Sequence, residues 1–183
     1  MSQLHNATAG PRIGLVACTA EEACLAPRSV DCVVCAQSAH WFDLDRFYDE
    51  VNRVARSGAV ISILGYGRAL LDGPTGDLLD AFYKQMFSRY YTEQRRLVEE
   101  AYTTLPFPFE ETPAVPFTIE TEWRLEDLAG YISSWSSLQR WIADHGDDPS
   151  TDLIDSMRAR WKPETYRRVR FPGFMRLGYV NPI

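Results

Sequence analysis

The feature that most limits how this chain can fold is a strand, helix, strand pattern between Val30 and Leu64. Val30 to Ala36 is nearly continuous apolar sequence, which reads as a strand buried on both faces. Asp43 then stands as a helix N-cap. Leu44, Phe47, Tyr48, Val51, Val54 and Ala55 recur at helical spacing, with Asp45, Arg46, Glu50 and Asn52 opposite. Ser57-Gly58 stops that helix, and Ala59 to Leu64 is a second apolar run ending at Gly65-Tyr66-Gly67. Two such strands joined by one helix within about 35 residues imply a parallel pair with a right-handed crossover. In an open α/β sheet, ligands sit outside the carboxyl ends of the strands. Gln37, Ser38, His40 and Trp41 follow the first strand and fall at such a place.

The flanking segments read less sharply. Residues 1–12 are a helical or coil lead-in ended by Gly10-Pro11, Ile13 to Cys18 is a short strand, and Thr19 to Glu22 is a loop or helical turn. Beyond Asp72-Gly73-Pro74, a long helix is expected from about Thr75 to Tyr102, carrying an aromatic stripe. Leu105 to Pro116 holds four prolines and reads as an extended linker. Phe117 to Trp123 alternates as a strand, and Leu125–Trp135, Ser136–Asp144 and Thr151–Trp161 are helices. Tyr166–Phe171 and Phe174–Val180 read as the arms of an antiparallel hairpin turning at Pro172-Gly173. The division expected is 1–71 as a cofactor-side α/β core and 72–183 as a helical cap with C-terminal strands, within a single domain.

Composition narrows the function classes. The chain has 183 residues, 45% of them hydrophobic, so it can bury a core and is not disordered. No apolar run reaches the roughly 20 residues a membrane helix needs, and the polar first ten residues are no secretory signal. A cytoplasmic protein with reduced cysteines is expected. The net charge of −6 argues against nucleic acid as a partner. Cys32 and Cys35 form a C-x-x-C inside a strand, where residues three apart point to opposite faces, which disfavours a metal or redox pair.

Four segments carry a resemblance to the class I S-adenosylmethionine-dependent methyltransferases, nearest to the group that includes trans-aconitate methyltransferases. Thr19-Ala20-Glu21-Glu22 resembles the loop that borders the adenine. Ser29-Val30-Asp31 through Ala36-Gln37-Ser38-Ala39-His40-Trp41-Phe42-Asp43 resembles the fourth strand and the loop beneath the methionine portion. Val54-Ala55-Arg56-Ser57-Gly58-Ala59-Val60 resembles the entry to the fifth strand, and Gly130 to Ser136 a part of the substrate-covering region. The fold this implies is α/β: a Rossmann-like class I methyltransferase sheet with a helical substrate cap and a C-terminal antiparallel hairpin. The family's first strands, its glycine-rich loop and the acid that grips the ribose have no counterpart here. Against that pattern the chain is short by ~60–80 residues.

The resemblance implies a methyltransferase acting on a small, carboxylate-bearing molecule, with S-adenosylmethionine as cofactor. It places Thr19, Ala20 and Glu21 beside the adenine, Gln37 and Ser38 at the methionine end, and His40 as a base or substrate contact. On the substrate side it suggests Tyr66, Trp135 and Arg176, with Tyr90 and Trp123 behind them. The C-terminal basic group (Arg158, Arg160, Lys162, Arg167, Arg168, Arg170, Arg176) reads as a solvated face or an attractor of anions. The alternative is a catalytically silent relative that acts as a binding partner. An uncovered parallel strand edge would favour self-association.

Overall fold

The computed structural model describes Ala7, residues 10–90 and residues 92–180; most of the lead-in expected over residues 1–12 lies outside these. The elements run β1 Val30–Ala36, α1 Leu44–Val54, β2 Ala55–Tyr66, α2 Pro74–Tyr90, α3 Glu93–Glu99 and β3 Glu110–Thr112. They continue with β4 Phe117–Trp123, α4 Leu125–Ser133, α5 Ser136–His145, α6 Ser150–Arg158 and β5 Arg167–Val180. The chain divides into two compact units. One holds the residues through Leu64, Thr104–Ala114 and those from Met175; the other holds Gly65–Thr103 and Val115–Phe174.

In the first unit β1 pairs with β2 in parallel, as the strand, helix, strand pattern predicts, and the strand order is β1-β2-β5-β3. The register slips between Val30, opposite Ala55, and Cys32, opposite Val60. That bulge contains Arg56-Ser57-Gly58, with Gly58 at φ +76°; Ser57-Gly58, expected to stop the helix, lie inside β2 instead and kink the strand. α1 ends one residue earlier than its apolar spacing suggests, and Ala55 already belongs to β2. Ala55, Ala59, Ile61 and Ile63 make β2 a core strand. β1 is not buried on both faces as its composition suggests. Val34 is 58% exposed, because β1 is the outer strand among the described residues. Ile13 to Cys18 forms no strand. Extended backbone needs a neighbour for its N–H and C=O groups, and among the described residues none pairs with it, leaving Ile13, Leu15 and Val16 exposed.

The second unit is helical. α2, α4, α5 and α6 enclose a core that includes Phe82, Met86, Leu128, Ile132, Trp135, Leu138, Met157 and Trp161. The single helix expected from Thr75 to Tyr102 is two helices. Thr92 is extended (φ −116°, ψ 157°) and its hydroxyl accepts from Arg95 N–H at 3.2 Å, which makes it the cap of α3. The linker expected over Leu105–Pro116 contains β3, whose Glu110–Thr112 pair antiparallel with Tyr179–Leu177 of β5.

C-terminal antiparallel pairing is present, but its partners are not two halves of one hairpin. β5 runs straight through Pro172-Gly173, and β4 pairs with its Arg167–Gly173 half. Pro172 fits because a residue's N–H and C=O leave a strand on the same side. Its carbonyl accepts from Gly67 N–H at 2.8 Å, away from β4, so the missing N–H removes no β4 bond. Gly173 lies under the Phe117 ring, where a Cβ would meet that ring at 2.2 Å.

One interaction fixes the segment before β1. Glu50 lies on the face of α1 that its periodicity marks as polar, yet it is 9% exposed. Its Oε2 accepts from Arg53 Nε at 2.7 Å, and its Oε1 from Arg53 Nη2 at 2.6 Å and from Ala23 N–H at 2.7 Å. The same Nη2 donates to Leu25 O at 2.9 Å and Ala23 O at 3.1 Å. The Arg53 bonds, with the Ala23 N–H behind them, hold the Glu50 carboxyl below the usual carboxylate range.

Two outcomes follow from this packing. Gly76→Ala puts a Cβ 2.0 Å from the Leu71 carbonyl oxygen, which is backbone, whereas Gly173→Ala meets a ring that can shift. In urea unfolding Gly76→Ala should cost about 3 kcal/mol and Gly173→Ala about 1 kcal/mol; the reverse order would contradict the packing. A carboxyl with a lowered folded-state pKa adds stability that is present above its unfolded value of about 4.3 and is lost as pH falls through the folded value. Glu50→Gln should therefore lower the melting temperature at neutral pH and flatten its decline between roughly pH 5 and 3.

Candidate cofactor groove

All of the groove described here lies in the first unit. β1 ends at Ala36, and Gln37 follows in the left-handed region at φ +52°, with its N–H donating to Leu64 O at 2.8 Å. A non-glycine residue held there is strained, and such strain gathers at ligand sites. The kink turns the chain into a short 3-10 segment, Ala39–Trp41, with Ala39 fully buried. Asp43 then caps α1, its Oδ1 accepting from Arg46 N–H at 3.4 Å. Glu21 reaches this corner, its Oε1 accepting from Asp43 N–H at 3.0 Å. The Glu50–Arg53 pair fixes Ala23 and Leu25 against α1 (above). The loop before β1 and the turn after it are thus both tied to α1.

Between them is a groove of about 440 Å³. Its lining includes Thr19 and Ala20 from the loop, Ser38 from the turn, and Val33, Phe42 and Val51 from β1, the turn and α1. The structure therefore brings together three of the residues singled out in the sequence. Glu21 is half-buried and serves the loop through its bond to Asp43. Gln37 shapes the turn, and His40 is half-buried with its ring 5.0 Å from Trp41, itself 69% exposed. Cys32 is exposed and Cys35 buried, its thiol pushed up to about 11 by burial.

The remaining residues serve packing or ion pairs within their own units. Trp135 is 8% exposed and packs among Phe82, Tyr83, Phe87 and Tyr131. Tyr66 and Trp123 lie edge-on against Phe171. Tyr90 donates to Asp144 Oδ2 at 2.8 Å. Arg176 grips Glu111 with two bonds of 2.9 and 2.7 Å and donates to Leu105 O at 2.6 Å. The basic group resolves into local partners: Arg158 with Asp155, Arg170 with Asp72, and Arg168 near Glu120 at 3.9 Å. Glu50 and Arg53 went unread in the sequence as a buried pair. Their i, i+3 spacing was the available signal, though a solvated face carries the same spacing.

The groove's donor set fits part of a nucleoside thioether. Its apolar floor suits an adenine and an alkyl chain, and the Thr19 and Ser38 hydroxyls supply polar ends. Among the described lining residues the carboxylate is Glu50, fully engaged by Arg53 and Ala23, so none of them offers a free acid to a ribose diol.

Comparison with known proteins supplies the lineage. A family model described as a methyltransferase domain matches residues 1–63. A protein of Dictyostelium discoideum named as a candidate methyltransferase is 25% identical over 163 residues; the match covers 87% of this chain and 62% of that protein's length. The solved structure of a candidate type II methyltransferase from Anaeromyxobacter dehalogenans is 38% identical. It superposes with a TM-score of 0.90 over 100% of this chain and 78% of its own. The chain belongs to the class I S-adenosylmethionine-dependent methyltransferases.

Proposed function

We propose that this chain works in methyl transfer from S-adenosylmethionine to a small, acidic molecule. The observation that carries the reading is the single groove into which both the Thr19-Ala20 loop and the Ser38 turn open. In this reading Thr19 and Ala20 border the adenine, Ser38 and Gln37 the methionine end. The bound cofactor supplies an electrophilic methyl group, and the protein's part is position and exclusion of water. His40, on the same turn, is the group that would take a proton from the acceptor. A second reading is a chain that binds partners without catalysing. Among the described residues β1 is the outer strand, and that edge supports pairing with a second copy.

Calorimetric titration with S-adenosylhomocysteine separates the two readings. Saturable binding is expected, and Ala20→Arg, which fills the groove, should weaken it at least tenfold. No binding by the unmodified chain would favour the silent partner.

A further inference from the structure

A different pocket, of about 420 Å³, lies wholly in the second unit, and no role assigned above uses it. Its walls mix small residues (Gly67, Ala101, Gly173) with apolar ones (Leu70, Val98, Phe174), and its charged lining residues are Arg68 and Glu99. Both charges are held in place. Asp80 takes Arg68 by two bonds of 3.0 and 3.1 Å. Tyr83, 7% exposed, donates its hydroxyl to Glu99 Oε1, while Arg95 Nε donates to that hydroxyl at 2.9 Å. The Tyr83 ring also lies beneath the Arg68 guanidinium at 5.3 Å. An i, i+4 pair such as Arg95–Glu99 on an open helix face would be loose and weak. Here a buried phenol orders it and carries a guanidinium on its ring.

The Arg68 and Glu99 side chains are both partly exposed and keep hydrogen-bonding capacity. Glu99 Oε2 has no partner among the described residues, and Arg68 keeps N–H groups beyond the two that Asp80 takes. The rim is strained as well. Ala101 and Tyr102 both sit in the left-handed region, at φ +52° and +57°, with no glycine to ease it. The pocket therefore offers one anionic acceptor and one cationic donor, each neutralised from behind. A ligand with one charge would leave the opposite wall unmatched, and one with both would match each.

We propose that this pocket binds a small zwitterion of the amino-acid class, its carboxylate on Arg68 and its ammonium on Glu99. The site stands independently of the cofactor reading.

Amide NMR titration of the whole chain tests it, with L-alanine as probe and propionate and ethylamine as single-charge controls. L-Alanine should shift the amides of Gly67, Arg68 and Ala101 saturably below roughly 50 mM, and each control should bind at least tenfold more weakly. Arg68→Gln and Glu99→Gln should each cost tenfold or more. No saturable shift, or controls that bind as well as L-alanine, would overturn the proposal. The controls act on the unmodified protein, so that result does not depend on the variants folding. Zwitterion binding without homocysteine-nucleoside binding would retire the cofactor reading alone; the converse would retire this site alone.

Discussion

The first unit depends on one buried carboxylate. Glu50 could not stay 9% exposed on α1 without partners, since burying an unpaired charge is far costlier than leaving it in water. Arg53, one helical turn on, satisfies it and reaches past it to the carbonyls of Ala23 and Leu25. The same stretch of α1 accepts from the next part of the loop: Arg28 N–H donates to Arg53 O at 2.9 Å and Ser29 N–H to Val54 O at 2.8 Å. The segment entering β1 is thus clamped to the helix that leaves it. Without that clamp, Thr19 and Ala20 would be held over the same groove as Ser38 chiefly by the bond from Asp43 N–H to Glu21.

The second unit uses the same device in another form. A buried phenol, not a buried carboxylate, organises the charges there, and Tyr83 sets Glu99 and Arg95 while packing against Phe87 and Trp135. In both units a polar group inside an apolar setting is satisfied by an arginine. In both, the residues it orders line a pocket.

The sequence was most legible where local periodicity and tertiary role agree. β1 and the Asp43 cap lie where the pattern predicts, and α1 ends only one residue early, because apolar spacing and capping chemistry act within a few residues. The failures have a shared physical cause. The exposure of β1, the unpaired Ile13–Cys18 and the uninterrupted β5 all depend on which neighbours are present, and no run of residues states its own neighbours. Pro172-Gly173 reads as a turn because that dipeptide suits one. In the structure each residue answers a different contact, the Gly67 amide and the Phe117 ring. Helical spacing puts Glu50 on the polar face of α1, and its burial comes from the loop that bonds to it and to Arg53. That Thr19, Ala20 and Ser38 line one groove is not legible in periodicity; the family resemblance groups them because it carries tertiary information.

In the proposed function, the loop before β1 and the turn after it form one nucleoside-binding surface. Photo-crosslinking with 8-azido-S-adenosylmethionine, followed by peptide mapping, tests it most directly. Label confined to peptides spanning 18–25 and 37–42, and competed away by S-adenosylhomocysteine, is the predicted result. Label that falls on neither peptide, or that the competitor does not displace, would contradict it.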